Sequence, residues 1–378
     1  MTHTTEAPVS KSAAVSNSTV HFASKLHPRL GNSSQNLFYS PFSLLSVLSM
    51  CRAGAKGSTQ DCLSELLGLP AASAGAKPLL QMPAAAATGG DAQTAYELLM
   101  ANALWIADGL SLNAEYKQTV QTEYGGEVVQ VNYQQAAGEA VDKINRWCDE
   151  KTRGKIPTIV TRQNIDADTR LLLTNAIYFK GKWQTPFQEG RVTDDDFQGA
   201  GQVPTMHHTS EFRYAENADF QALEMEYEGG DLAMLILLPR DEISKIDTDL
   251  GSAYQLAVTN LSREQVIVAI PRFKIESTYC LRAALTELGA GLAFSNDADF
   301  SGITDVPLKI SEVIHKTFVQ VDTEGTEAAA ATGAVARTLA AVYNPDPPKV
   351  FKADRPFVFL IRNLKSGNVL FAGRLVKP

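Results

Sequence analysis

The chain has 378 residues, 34 of them basic and 42 acidic, for a formal charge of −8, and 44% of its residues are hydrophobic. At about 150 residues per domain this length predicts two or three domains, with enough apolar material for a core without staples. The composition excludes wholesale disorder, a collagen-like repeat and a disulfide scaffold, and the acidic balance argues against a protein built to coat nucleic acid or an anionic membrane.

Residues 1–17 are rich in Thr, Ser and Ala and hold no apolar block. They lack the pattern of a secretory signal and are expected to be a flexible leader ahead of a folded part, 18–378. Val20, Phe22, Ala23, Leu26 and Leu30 form an approximate helical stripe. A short strand-like run, Asn36 to Tyr39, precedes Ser40-Pro41, which reads as a cap followed by proline at the first helical position. The helix that follows, to about Met50, is apolar all round and should be buried. Gly57 to Leu67 reads as a second helix, and 70–90 is a Pro/Ala/Gly-rich insert whose one charge is Lys77.

Residues 96–106 fit helix or strand. The segment 113–124 looks helical, 128–131 is a short strand, and Ala136 to Arg153 is an amphipathic helix stopped by Gly154. Leu171 to Phe179 has the length of a buried strand. Strand-like runs recur at 202–207, 221–227, 232–238 and 266–270, and Thr278 to Gly289 reads as helix. Phe357 to Arg362 and Val369 to Leu375 flank Lys365-Ser366-Gly367-Asn368, the pattern of a buried hairpin. Helices dominate the first half and strands the second, which favours α+β over a doubly wound sheet.

No apolar run reaches the roughly 18–20 residues of a membrane helix. Cys51, Cys62, Cys148 and Cys280 make no CxxC pair and no Cys/His metal spacing, so they read as buried free thiols in a reducing, cytoplasmic setting. Sequons at Asn17, Asn32 and Asn260 would matter if the chain were secreted after losing a leader. There is no GxSxG elbow, phosphate loop or HExxH. Gly289-Ala290-Gly291 lacks the third glycine of a dinucleotide loop, since Phe294 stands there. His207-His208, as strand neighbours, would point to opposite faces and would not share an ion. Asp194-Asp195-Asp196 reads as a solvated loop rather than an acid/base pair. The sequence argues against an enzyme and calls for no metal or cofactor.

Residues 322–343, DTEGTEAAAATGAVARTLAAVY, carry more information. An Ala-rich helix here would be interrupted by Gly333 at a cost of about 1 kcal/mol and would lack an apolar stripe. With period two, the even positions Thr326, Ala328, Ala330, Thr332, Ala334, Ala336 and Thr338 are all small and uncharged, while Glu327 and Arg337 fall on odd positions. Such a segment could slide into an already packed sheet, where a large or charged side chain would be obstructive.

The run Glu324-Gly325-Thr326-Glu327-Ala328-Ala329-Ala330-Ala331-Thr332 resembles the hinge of an inhibitory serpin. Further motifs, in the family's order, extend the resemblance over nearly the whole chain. Asn36, Phe38, Ser40-Pro41 and Ser43 resemble its first buried helix, and Thr174-Asn175 with Phe179-Lys180-Gly181-Lys182-Trp183 its central sheet. Phe294-Ser295-Asn296, Ser311-Glu312 with His315-Lys316, Arg355-Pro356-Phe357 and Phe371-Ala372-Gly373-Arg374 resemble later blocks. The resemblance replaces the length-based domain count by one domain of three β-sheets and eight or nine helices with an exposed reactive-centre loop, about 324–348.

It further implies a suicide-substrate inhibitor of a serine endopeptidase. The protease would form an acyl-enzyme with the loop, which then inserts into the central sheet. The alternatives are inhibition of papain-like cysteine proteases and a non-inhibitory serpin. Family register places the cut after Leu339, before Ala340, which suggests a chymotrypsin-, elastase- or subtilisin-like target. Arg337 and Thr338 stay open as the residue before the cut because the loop is longer than usual. Ser40, Ser43, Asn175 and His315 resemble the polar cluster beneath the opening sheet, and Trp183 and Arg272 the top of that sheet. Thr323 stands where many members have Glu, so the usual pair with Arg272 is expected to be weakened or re-formed through Glu324, and Thr323→Glu is expected to slow spontaneous insertion. The nearly uncharged 70–90 stretch argues against heparin activation, and a monomer is expected.

Overall fold

The computed structural model describes residues 11–69, 96–326 and 347–378, with side chains from residue 18 onward. Eight α-helices and fifteen strands are found among them. The first half contains α1 (Lys11–Leu26), β1 (Leu37–Tyr39), α2 (Pro41–Gly54), α3 (Gly57–Leu67), β2 (Tyr96–Ala107), α4 (Ala114–Tyr124), β3 (Glu127–Val131), α5 (Ala137–Lys151) and β4 (Leu171–Lys182). Then come β5 (Val192–Phe197), β6 (Gly201–Glu216), β7 (Phe220–Glu226), β8 (Leu232–Pro239), α6 (Ser244–Thr248), α7 (Leu250–Asn260), β9 (Ser262–Pro271) and β10 (Phe273–Cys280). The chain continues with α8 (Arg282–Leu285), β11 (Glu312–Val321), β12 (Gly325–Thr326), β13 (Lys349–Lys352), β14 (Phe357–Asn363) and β15 (Val369–Leu375).

The strands form two hydrogen-bonded networks. A six-stranded sheet has the order β10-β11-β12-β4-β2-β3, and β11 also pairs directly with β4. The other network runs β1-β15-β14-β8-β7-β6-β9-β13, with β5 joined to β6. Three sheets become two networks because β6 is long. Its first six residues pair with β5 and its last four with β7 on one edge, while β9 follows the other edge from Thr205 to Tyr214.

Side-chain chemistry explains these elements. Ser40 caps α2 by accepting from the Ser43 amide at 3.1 Å, a contact typically worth about 1 kcal/mol. Thirteen of the fourteen α2 residues are buried, as the all-round apolar pattern required. In α5 the buried residues are Ala140, Ile144 and Cys148, a single stripe that packs on the outer face of the six-stranded sheet against Ala103, Trp105 and Tyr178. The inner face of that sheet meets the second network across Phe38, Ile177, Phe179, Val319 and Phe371, with Phe38 stacked on Phe371 at 5.1 Å. The C-terminal hairpin is buried along both strands.

Four expectations are corrected. The segment 11–17, expected as leader, opens helix α1. The 278–289 helix begins only at Arg282, because Phe273–Cys280 pairs with β11 over eight residues, with Phe273 and Ile275 buried between exposed neighbours. The aspartates 194–196 lie in strand β5, held by β6, rather than in a loop. Of the four free cysteines, Cys51 and Cys148 are buried, whereas Cys62 is half-buried and Cys280 exposed. No described helix is long and apolar enough to cross a membrane.

Candidate functional site: the mouth of the six-stranded sheet

Strands β4 and β11 run parallel and pair directly from Leu172 opposite Glu312 to Tyr178 opposite Phe318. Above that point β12 lies between them, antiparallel to both: Thr326 faces Gly181 on one side and Val321 on the other, and Gly325 faces Lys182. A turn delivers β12 to this position. The Asp322 amide donates to the Gly325 carbonyl at 2.9 Å, and the Asp322 carboxylate accepts from the amides of Glu324 and Gly325 at 3.0 and 3.3 Å. Gly325 is needed for close approach. It does not adopt a positive φ, but a Cβ there would sit 2.0 Å from the Gly181 carbonyl oxygen. The part glycine plays here is therefore a steric one.

Thr326 is fully buried and its Oγ1 shares a 2.8 Å hydrogen bond with the Tyr227 hydroxyl. Trp183 closes the mouth. Its indole N–H donates to the Asp322 carbonyl at 3.0 Å, its amide donates to the Glu324 carbonyl at 2.8 Å, and its ring stacks on Tyr227 at 4.6 Å.

Below the mouth, Ser40, Ser43, Asn175 and His315 come together, all fully buried. The Ser40 amide donates to His315 Nε2 at 3.0 Å, and His315 Nδ1 lies 3.2 Å from the Asn175 carbonyl oxygen. The first contact needs an unprotonated Nε2 and the second a protonated Nδ1, so His315 is neutral. Burial lowers its pKa to about 3. Asn175 Nδ2 donates to the Ser43 carbonyl at 3.1 Å and also to Ser43 Oγ and Asn102 Oδ1. Asn102, on β2, is a fifth member that the motifs did not single out; a lone amide within the apolar run 96–106 was the available signal. Asn102 Nδ2 and Asn175 Oδ1 are buried without a partner, each at a typical cost of about 1–3 kcal/mol.

At the base of the turn, Arg272 Nη2 donates to Glu189 Oε2 and lies 3.4 Å from Thr323 Oγ1, which itself donates to Glu189 Oε2 at 3.0 Å. The hydrogen bond from Arg272 holds the Glu189 carboxyl below its ordinary range. The carboxylate that Arg272 holds is that of Glu189. Nothing in the sequence marked Glu189, an exposed residue on a turn.

Hinge residues Glu327, Ala328, Ala329, Ala330, Ala331 and Thr332, and the reactive-bond candidates Arg337, Thr338, Leu339 and Ala340, lie outside the described residues, as does the 70–90 insert. The two histidines part company as expected of strand neighbours: His207 contacts Thr193 Oγ1 at 2.9 Å, while His208 sits between the edges of Phe187 and Phe212.

The family model described as "Serpin (serine protease inhibitor)" matches residues 17–378. An uncharacterized serpin-like protein of Thermococcus kodakarensis is 39% identical over 94% of this chain and 84% of its own length. Leukocyte elastase inhibitor A of Mus musculus is 37% identical over 94% of this chain and 97% of its own. The crystal structure of Serpin48 from Tenebrio molitor superposes with a TM-score of 0.82 at 29% identity, covering 98% of this chain and 99% of the other. Together with the sheet geometry, these matches show that the chain belongs to the serpin family.

Proposed function

We propose that the chain, acting as one unit from residue 18 onward, is a suicide-substrate inhibitor of serine endopeptidases. The observation that carries this reading is β12, a two-residue strand seated between β11 and β4 above a stretch where those two strands pair directly. Insertion in this register would bring Ala328 beside Phe179 and Val319, Ala330 beside Ile177 and Thr317, Thr332 beside Asn175 and His315, and Ala334 beside Leu173 and Val313. All eight of these neighbours are fully buried. The small even positions would thus face the core, and Thr332 would bring its hydroxyl to the polar cluster. Glu327, on the other face, would lie beside Lys180. Each inserted residue would exchange the direct parallel pairing of β4 and β11 for two antiparallel ladders. Asn175, whose Oδ1 is buried without a partner, lies on β4 opposite His315 of β11, where those strands must part.

The chemistry is the protease's own. Its serine oxygen attacks the Leu339 carbonyl carbon, the bond to Ala340 breaks, and the Ala340 nitrogen leaves with a proton, so that Leu339 is held as an ester. The span from Thr326 to Leu339 covers about 40 Å when extended at roughly 3.3 Å per residue. Insertion would therefore carry the ester the length of the sheet before water could release it. The likeness to a mouse protein named as a leukocyte elastase inhibitor supports an elastase-like target with an apolar pocket.

Insertion can be tested apart from inhibition. Cutting the loop between 327 and 346 with a non-target protease should raise the unfolding temperature, because the freed strand completes the sheet. An unchanged or lowered temperature would refute the reading.

A further inference from the structure

We propose that Glu189 is the positioning residue of a clasp that sets how fast the six-stranded sheet opens. This rests on the insertion reading above. Three separate segments meet at one carboxylate oxygen: the turn after β4 supplies Glu189, the β9–β10 junction supplies Arg272, and the β11–β12 turn supplies Thr323. Glu189 follows β4 along the chain and Thr323 follows β11, so the contact ties together the two strands between which the loop enters. Backbone hydrogen bonds reinforce both anchors. The Phe187 amide donates to the Thr323 carbonyl at 2.8 Å, and the Arg272 amide donates to the Pro204 carbonyl on β6 at 2.8 Å. Thr323 is buried, whereas the Glu189 side chain is 71% exposed. The clasp is thus anchored in the protein on one side and open to salt on the other. Arg272 Nε is buried with no partner, so the guanidinium meets both Glu189 and Thr323 through Nη2.

Exposed pairs of this kind are worth little in the ground state, and the expected effect is on rate. The test uses the full chain and two readouts: uptake of a labelled peptide of residues 326–338 on native gels, and spontaneous loss of inhibitory capacity on warming. Glu189→Ala should accelerate both by about two- to fivefold at low salt. Salt near 1 M, where screening reaches only about 3 Å, should bring the parent up to the Glu189→Ala rate and leave the variant unmoved. Adding Thr323→Glu to Glu189→Ala should restore the parent rate. In the parent background Thr323→Glu should slow insertion little, because Glu189 already occupies Arg272. Equal rates for parent and Glu189→Ala would overturn the clasp, as would the same acceleration from Glu287→Ala on the distant α8 side. If no variant takes up peptide or converts, the insertion reading fails and the clasp falls with it.

Discussion

A charge placed at Ala328 and the same charge placed at Ala329 should have opposite consequences. On insertion in the register of β12, residue 328 would lie on the inner face of the six-stranded sheet, against Phe179 and Val319, both fully buried in the apolar cluster between the two networks. Residue 329 would then fall on the outer face beside Tyr178 and Phe318, whose rings lie under the ammonium groups of Lys155 and Lys274 at 5.0 Å each. A carboxylate on the inner face would be buried with no partner, at a cost of about 4 kcal/mol. At 1.4 kcal/mol per factor of ten, that slows insertion by about a thousandfold, so hydrolysis would win and the protein would become a substrate. A carboxylate on the outer face would meet two cations. The assay is the stoichiometry of inhibition against a protease that the parent traps. Ala328→Glu should raise it by orders of magnitude and Ala329→Glu should leave it within a few-fold. Equal effects, or the reverse order, would refute the register and with it the inward direction of the even positions.

Three further outcomes are expected. His315 is held neutral with its pKa near 3, against about 6.5 in the unfolded chain; between these values the unfolded state binds the extra proton, so stability is complete above about pH 6.5 and falls as pH drops toward 3, by about 5 kcal/mol from this group at most. Urea midpoints measured across that range should show it, and an identical slope in His315→Gln would remove His315 as the cause. Gly325→Ala drives a Cβ into the Gly181 carbonyl and should expel β12, seen as faster hydrogen exchange at the Thr326 amide; unchanged protection would show that the backbone absorbs the clash. Thr326→Arg should cost inhibition as well, since its side chain already fills a buried site against Tyr227, and retained trapping in that variant would contradict insertion.

The period-two pattern of 326–338 is legible because it is local: a strand that is to enter a packed sheet needs a small residue at every second position, and the even positions are all small. Which face those residues meet was not legible, since that depends on the pairing of Thr326 with Gly181, 145 residues away in numbering. The polar cluster was readable through its motifs except for Asn102, whose partner Asn175 lies on another strand. Glu189 was invisible for a different reason. An acidic residue on an exposed turn is ordinary in sequence, and only the convergence of Arg272 and Thr323 on its oxygen gives it a part. The misread helix at 278–289 shows tertiary pairing overriding local preference, since Thr278, Tyr279 and Cys280 are claimed by β11.

The central claim is covalent trapping by loop insertion. The most direct measurement mixes the full chain with elastase, chymotrypsin, subtilisin, trypsin and a papain-like cathepsin and resolves the products on a denaturing gel, with mass analysis of the released C-terminal fragment. The account predicts a denaturant-stable adduct with at least one serine protease and a fragment beginning at Ala340. Clean cleavage of the loop by every protease, with no adduct, would contradict it.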